Sequence, residues 1–227
     1  MPEAPTKPWK GMGMEGWTAR WYASTRSKDM EDFRRAARDA AARLTRGAGV
    51  LEVAPGPGFF AIELATLGDF RITGLDISHT MVEIAAENAR KAGVNVDFRW
   101  GNAAAMPFAD ETFDFVYCSA AFKNFTEPVK ALDEMYRVLR PSGEALIVDL
   151  SRDCPPGEIA SFVEKSGRGL IDTWITKLVF RHVLLKRAYA PEDFVRMSGQ
   201  SRFGTCSVDH TGMGMAVRFA KPAVKAA

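Results

Sequence analysis

Pro55-Gly56-Pro57-Gly58 breaks an otherwise apolar stretch, Val50 to Leu67, at its middle. A glycine has no Cβ to hold a ligand off the backbone, and a helix that starts after such a turn presents unpaired N–H groups. This is the chemistry a nucleotide-type cofactor needs for its most polar part. Further along, polar residues close successive apolar runs: Asp76 after FRITGL, Asn102 after VNVDFRWG, and Ser119 after TFDFVYC. A carboxylate in such a place suits a pair of sugar hydroxyls, and an amide can both accept and donate. Glu52 is different, because it lies inside the first apolar run.

The elements that must position these residues follow from hydrophobic period and breakers. Val50–Ala54 is rich in β-branched and apolar residues and reads as a buried strand, with Phe59–Leu67 as the helix after the turn. Phe70–Ile77, Val94–Trp100, Thr112–Ser119 and Glu144–Leu150 read as four more strands. Ser78 is placed to cap a helix carrying Met81, Ile84, Ala85 and Ala89, which Gly93 closes. Another helix is spaced by Phe125, Val129, Leu132, Tyr136 and Leu139, and Pro141-Ser142-Gly143 stops it. Strands alternating with helices predict an α/β fold with a doubly wound, mostly parallel sheet. In such sheets ligands bind beyond the carboxyl ends of the strands, which is where Gly56, Gly58, Asp76, Asn102 and Ser119 fall.

At either end of this core the pattern changes. Residues 1–28 read as an arm, irregular at first and then carrying Trp17, Trp21 and Tyr22. The two tryptophans are one helical turn apart. They pack on the domain surface, or they act as a lid whose aromatic faces cover a cationic ligand. Asp29–Leu44 is an amphipathic helix and opens the main domain, residues 29–227. Residues 155–190 form an apolar helical cap containing Trp174 and Val179. Its wide apolar face suits core or pocket first, a homodimer interface second and a membrane surface third. Pro191–Met197 starts a further helix, and Gln200–Thr211 with Met213–Ala220 predicts an antiparallel pair about Gly212.

The chain of 227 residues carries a net charge of about +2 with acids and bases interspersed, so no basic footprint points to nucleic acid. Its three cysteines, Cys118, Cys154 and Cys206, are widely spaced, form no metal-ligand cluster and suit a reducing cytoplasm. The N-terminal residues do not read as a signal peptide, and no run reaches transmembrane length.

Gly56-Pro57-Gly58-Phe59-Phe60-Ala61 also satisfies the loose dinucleotide pattern GxGxxG/A, with Asp76 near the distance expected for a ribose contact. An NAD(P)-dependent oxidoreductase is therefore one reading. Against it stand Glu52 within the strand, Pro57 removing an N–H that would face a pyrophosphate, and no recognisable hydride-transfer relay. The ordered set VLEVAPGPG, GLDIS, GNAAAMPFADETFDFVYCS and EMYRVLRPSGEALIVDL resembles the motifs of class I S-adenosylmethionine-dependent methyltransferases. It is most similar to small-molecule enzymes of the ubiquinone/menaquinone-biosynthesis type. The resemblance covers roughly residues 48–150 and implies a seven-stranded sheet whose last strand is inserted antiparallel beside the fifth.

The resemblance implies S-adenosyl-L-methionine as cofactor. Glu52, Ala54, Gly56 and Gly58 would then hold the methionine end, Asp76 both ribose hydroxyls, and Ile77 and Met81 the adenine. Asn102, where relatives usually carry Asp, would take the adenine amino group, with Ala103 beside it. Ser119 and Ala120 would contribute backbone near the methionine moiety, and Tyr22 would close over it. The implied reaction is methyl transfer to a small-molecule acceptor, which needs alignment and exclusion of water rather than a metal. Phe122 and Lys123 in SAAFKNF, with Trp174 of the cap, are the candidate acceptor contacts; Lys123 would hold an anionic acceptor. His182 and His210 are candidate bases. No catalytic residue is singled out. A non-catalytic S-adenosylmethionine-binding partner protein remains the other alternative.

Overall fold

The computed structural model describes residues 10, 14–26, 30–155, 157–158 and 185–223. Helix α1 (Gly16–Arg26) and α2 (Met30–Ala41) precede β1 (Gly49–Val53), α3 (Phe59–Leu67), β2 (Arg71–Asp76), α4 (His79–Ala92) and β3 (Asp97–Trp100). Then come β4 (Phe113–Ser119), a 3₁₀ turn at Phe122–Asn124, α5 (Pro128–Val138), β5 (Leu139–Leu150), α6 (Pro191–Gln200), β6 (Ser207–Thr211) and β7 (Gly214–Ala220). The strands make one sheet in the order β3-β2-β1-β4-β5-β7-β6, parallel except that β7 runs antiparallel to both of its neighbours. This is the architecture expected from the sequence.

Both faces of the sheet are buried, and the alternation along the central strands shows how. Val50 of β1 and Phe115 and Tyr117 of β4 pack with Phe60, Ala61 and Leu64 of α3 and with Ala37 and Ala40 of α2. Their neighbours Leu51, Val53, Val116 and Cys118 face Leu132 and Met135 of α5 and Phe194 of α6. A side-chain period of two on doubly covered strands leaves no polar face, which is why these runs are almost continuously apolar. Glu52 shares the α3 face with Val50 and is 3% exposed, so it is a buried ionisable group in an apolar layer.

Several boundaries differ from the sequence reading: β3 begins at Asp97 rather than at Val94, β6 begins at Ser207 rather than at Gln200, and two more have a clear local cause. α5 begins at Pro128 rather than at Phe125, whose backbone is extended. Proline is tolerated in the first turn and disfavours helix before it, and that local rule outweighs the helical spacing of Phe125. β5 begins at Leu139 and runs through Pro141-Ser142-Gly143, with a register shift opposite Phe113–Phe115 and Ser142 at φ 66°. A Cβ on Gly143 would lie 2.8 Å from the Arg140 carbonyl oxygen, so this glycine is a tight strand irregularity and not a stop.

α1 places Ala19 inward, fully buried, and Tyr22 against the cavity described below. Trp17 and Trp21 are 77% and 63% exposed, so they do not pack on the domain, and neither lines the cavity. The turn spacing that pairs them also puts them on the solvent side of a helix whose inner face is taken by Ala19 and Tyr22.

Candidate functional site

The carboxyl ends of β1, β2 and β4 open into one cavity. Its walls include Glu52, Ala54 and Gly56 from the first strand and turn, Asp76, Ile77 and Met81 from the second, and Asn102 and Ala103 after the third. Ser119 and Ala120 complete that side, and Tyr22 reaches it from α1. Three of the candidate residues are not brought there. Gly58, Phe122 and Lys123 do not line the cavity, and Trp174 and His182 lie outside the described residues. His210, the other candidate base, is in β6 at the far edge of the sheet.

Gly56 and Gly58 do different jobs. Both have positive φ, 53° and 79°. A Cβ on Gly56 would meet nothing within 4 Å, since that side is the cavity itself. On Gly58 it would lie 2.6 Å from Phe98 Cζ and 3.0 Å from Ala85 Cβ, so this glycine lets α3 and the Phe98 ring close on each other. Gly58→Ala is therefore expected to destabilise by about 2–4 kcal/mol, the left-handed alanine cost plus overpacking. Gly56→Ala would lose only about 1–2 kcal/mol, its effect falling on ligand binding instead. Urea unfolding of the two variants measures the difference.

Two buried carboxylates organise the cavity floor. Glu52 Oε2 accepts from the Ala61 N–H at 3.1 Å, capping α3 from the neighbouring strand because Gly58 has no side chain to do so. Burial raises the Glu52 carboxyl to about 8; the Ala61 N–H works against that rise, and the nearby Asp76 charge adds to it. Asp76 Oδ2 accepts from the Gly56 N–H at 3.0 Å and Oδ1 from the Ser78 N–H at 2.9 Å. Burial is again the main cause that lifts Asp76, to about 6, against these two N–H groups. Each oxygen of Asp76 still has a second lone pair, so the carboxylate holds the glycine turn and can accept from a ligand at once.

Asn102 Oδ1 accepts from the Ala104 N–H at 2.9 Å, which forms the turn after β3 and occupies one of its lone pairs. Ile77 gives its carbonyl to Trp100 Nε1 at 2.9 Å, and the Trp100 indole stacks on His79 with centroids 4.7 Å apart. Met81 is 2% exposed on the first turn of α4, where the Ser78 hydroxyl accepts its N–H at 3.0 Å.

The arm before α1 is fastened to the same helix end. Glu15 Oε1 accepts from His79 N–H at 2.9 Å, and Oε2 accepts from Thr80 N–H at 3.1 Å and from the Thr80 hydroxyl at 2.6 Å. The Ser78 hydroxyl donates to the Met14 carbonyl at 2.5 Å. Burial pushes Glu15 up, but these hydrogen bonds together hold its carboxyl below the usual range. Lys10, farther along the cavity, donates its backbone N–H to the Asn124 carbonyl at 2.7 Å and its Nζ to the Tyr189 hydroxyl at 2.9 Å. Lys10, Met14 and Arg26 all line the cavity, as do Asn124, Phe125 and Thr126. Asn124 and Phe125 belong to the acceptor-facing stretch SAAFKNF, which Thr126 continues. Sequence reasoning missed Lys10, Met14 and Arg26; Lys10 and Met14 have no local signal, because their partners Asn124, Tyr189 and Ser78 are distant in the chain.

A family model described as a methyltransferase domain matches residues 51–147. Over 118 residues the chain is 36% identical to a demethylmenaquinone methyltransferase of Listeria welshimeri, covering 51% of this chain and 50% of that protein. It is 39% identical over 111 residues to a ubiquinone/menaquinone biosynthesis C-methyltransferase of Klebsiella pneumoniae, covering 47% and 44%. Residues 51–147 therefore match a methyltransferase domain, the kind of domain that the sequence motifs resemble. The chain spans about half the length of these curated relatives. In fold, the methyltransferase architecture extends further. A solved structure of a candidate S-adenosylmethionine-dependent methyltransferase from Methanococcus maripaludis superposes with a TM-score of 0.75, at 18% identity, over 96% of this chain and 98% of that one.

S-adenosylmethionine is the cofactor of this methyltransferase family, and the residues present fit it. Gly56 leaves a space that a Cβ would fill, Asp76 keeps an acceptor pair for a diol, and Met81 and Ile77 give an apolar slot beside it. Glu52 and Asp76 are two buried carboxyl groups at one end of the cavity, a pair of acceptors suited to a ligand that carries positive charge.

Proposed function

We propose that this methyltransferase-domain chain moves a methyl group from S-adenosylmethionine to a small-molecule acceptor of apolar or aromatic character, such as a quinone precursor. The observation that carries this reading is the placement of Asp76 at the end of β2, with Gly56 and Glu52 beside it on the same cavity wall. The names of the quinone-biosynthesis relatives support the acceptor class, and nothing in the comparisons supports the nicotinamide alternative.

In this reading Asp76 accepts from both ribose hydroxyls while its other lone pairs keep the glycine turn in place. Glu52 fixes α3 and favours positive charge at the methionine end, and Gly56 allows backbone approach. Ile77, Met81 and Ala103 hold the adenine, with Asn102 contributing its remaining lone pair and its amide N–H groups. Ser119 and Ala120 form the wall beside the methionine moiety, with Tyr22 opposite. Bound, the cofactor supplies an already activated methyl on a positively charged sulfur, so the protein's work is alignment and exclusion of water. Residues 1–28 would serve as the closing arm and residues 155–190 as a cap over the acceptor. Free cysteines at 118, 154 and 206 agree with a reducing cytoplasm.

Titration calorimetry with S-adenosylhomocysteine and with NADH tests the cofactor. Binding of the first and not the second is expected; the reverse overturns the reading. Isotope transfer from methyl-labelled donor into a panel of phenolic and quinol acceptors tests the reaction, and tight donor binding without turnover on any of them would favour the non-catalytic alternative.

A further inference from the structure

Lys123 stands behind the cavity wall, not in it. Its side chain is 9% exposed and that of Asp149, at the end of β5, is 2% exposed. Lys123 Nζ donates to Asp149 Oδ1 at 2.7 Å and to the Ala120 carbonyl at 2.6 Å. The Lys123 backbone N–H donates to Asp149 Oδ2 at 2.9 Å, and the Leu150 N–H to Asp149 Oδ1 at 2.8 Å. Asp149 thus accepts three hydrogen bonds, two of them from one residue of the turn after β4.

That turn contains a strained residue. Ala120 sits at φ 56°, in the left-handed region that a non-glycine residue rarely occupies. Its N–H donates to the Val148 carbonyl at 2.8 Å, its carbonyl accepts from Lys123 Nζ, and its remaining side faces the cavity. A bare apolar core would fill the same volume without the desolvation cost of a buried ion pair. What an apolar pair cannot supply is a cation aimed at one carbonyl and a carboxylate aimed at one backbone N–H. Both of those bonds act on the conformation of residues 120–123.

We propose that Lys123 and Asp149 are a positioning pair, which holds Ala120 left-handed and thereby fixes the Ser119–Ala121 wall of the donor site. The inference rests on the reading that this cavity binds S-adenosylmethionine. It assigns Lys123 a role in donor binding through Ala120, and none in touching the acceptor.

The test is calorimetric affinity for S-adenosylhomocysteine, with near-ultraviolet circular dichroism to establish folding. Lys123→Met is expected to bind about tenfold more weakly, the size of one left-handed alanine's conformational cost. Lys123→Arg, which keeps a cation over the Ala120 carbonyl, should stay within about threefold of the parent. The diagnostic variant is Lys123→Met/Ala120→Gly. Glycine adopts positive φ freely, so it should recover most of the lost affinity if conformation is what the pair supplies. If Lys123→Met fails to fold, Lys123→Met/Asp149→Leu leaves no charge buried and carries the same measurement, alone and with Ala120→Gly. Folded variants that bind like the parent, or a loss that Ala120→Gly does not recover, overturn the proposal. So does failure of both charge-removing variants to fold, which would make the pair a support of the fold alone. A parent protein that does not bind S-adenosylhomocysteine overturns the cofactor reading instead, and is seen before any variant is made.

Discussion

Asp76→Ala is expected to weaken S-adenosylhomocysteine binding by about a hundredfold or more. The estimate comes from two hydrogen bonds to a charged acceptor at roughly 1.5–3 kcal/mol each, both lost together. The same substitution leaves the Gly56 and Ser78 N–H groups without their acceptor, so the turn loosens as the sugar contact goes. Calorimetry on the variant, run well below its melting temperature, measures the effect. Undiminished affinity would mean that the donor does not lie across the end of β2, and the cofactor assignment would fall with it.

Glu52→Gln should change how stability depends on pH. The Glu52 carboxyl titrates near 4.5 when unfolded and about 8 when folded, because burial disfavours its charge. For a group raised in this way, the native state is favoured in full below the unfolded value and loses that advantage as pH rises through the folded one. The parent should therefore lose stability relative to the variant between about pH 4.5 and 8, at up to about 1.4 kcal/mol per pH unit. Glutamine keeps an acceptor for the Ala61 N–H, so the difference between melts reads the ionisation of Glu52 together with its coupling to Asp76. Thermal unfolding at pH 4.5, 6, 7.5 and 9 reads it. A gap that does not widen with pH would show that Glu52 is not a buried ionisable group. Adding S-adenosylmethionine should narrow the gap at high pH, since positive charge nearby favours the ionised carboxylate.

The parts of the molecule legible in its sequence are those fixed over a few residues. β1 and β4 could be read from continuous apolar runs ending in Pro55 and after Ser119, α3 from the breakers before it, and α4 from Ser78 and Gly93 at its two ends. The coincidence of Gly56, Asp76, Asn102 and Ser119 at strand ends is a topological consequence, and the cavity gathers all four. What could not be read is fixed across long separations. Glu15 meets His79 and Thr80 from 64 and 65 residues away, and nothing near Glu15 announces it. Lys123 sits at the right place in the chain for an acceptor contact, but its partner Asp149 is 26 residues on and draws it inward. Phe122 is drawn in the same direction, fully buried among Phe125, Tyr189 and Phe194. The distinction between Gly56 and Gly58 also depends on a distant ring, that of Phe98.

The strand order carries a consequence for how the chain is made. β5, which bears Asp149, pairs along one edge with β4 but along the other with β7, and residues 151–190, α6 and β6 all come between them in sequence. While a ribosome is still producing those residues, Glu144 to Leu150 have backbone donors and acceptors on that edge with no partner of their own. An exposed strand edge is a template for other chains, so nascent or truncated forms are open to aggregation until Gly214–Ala220 arrives. The turn that Asp149 secures gains the backing of β7 only at that stage.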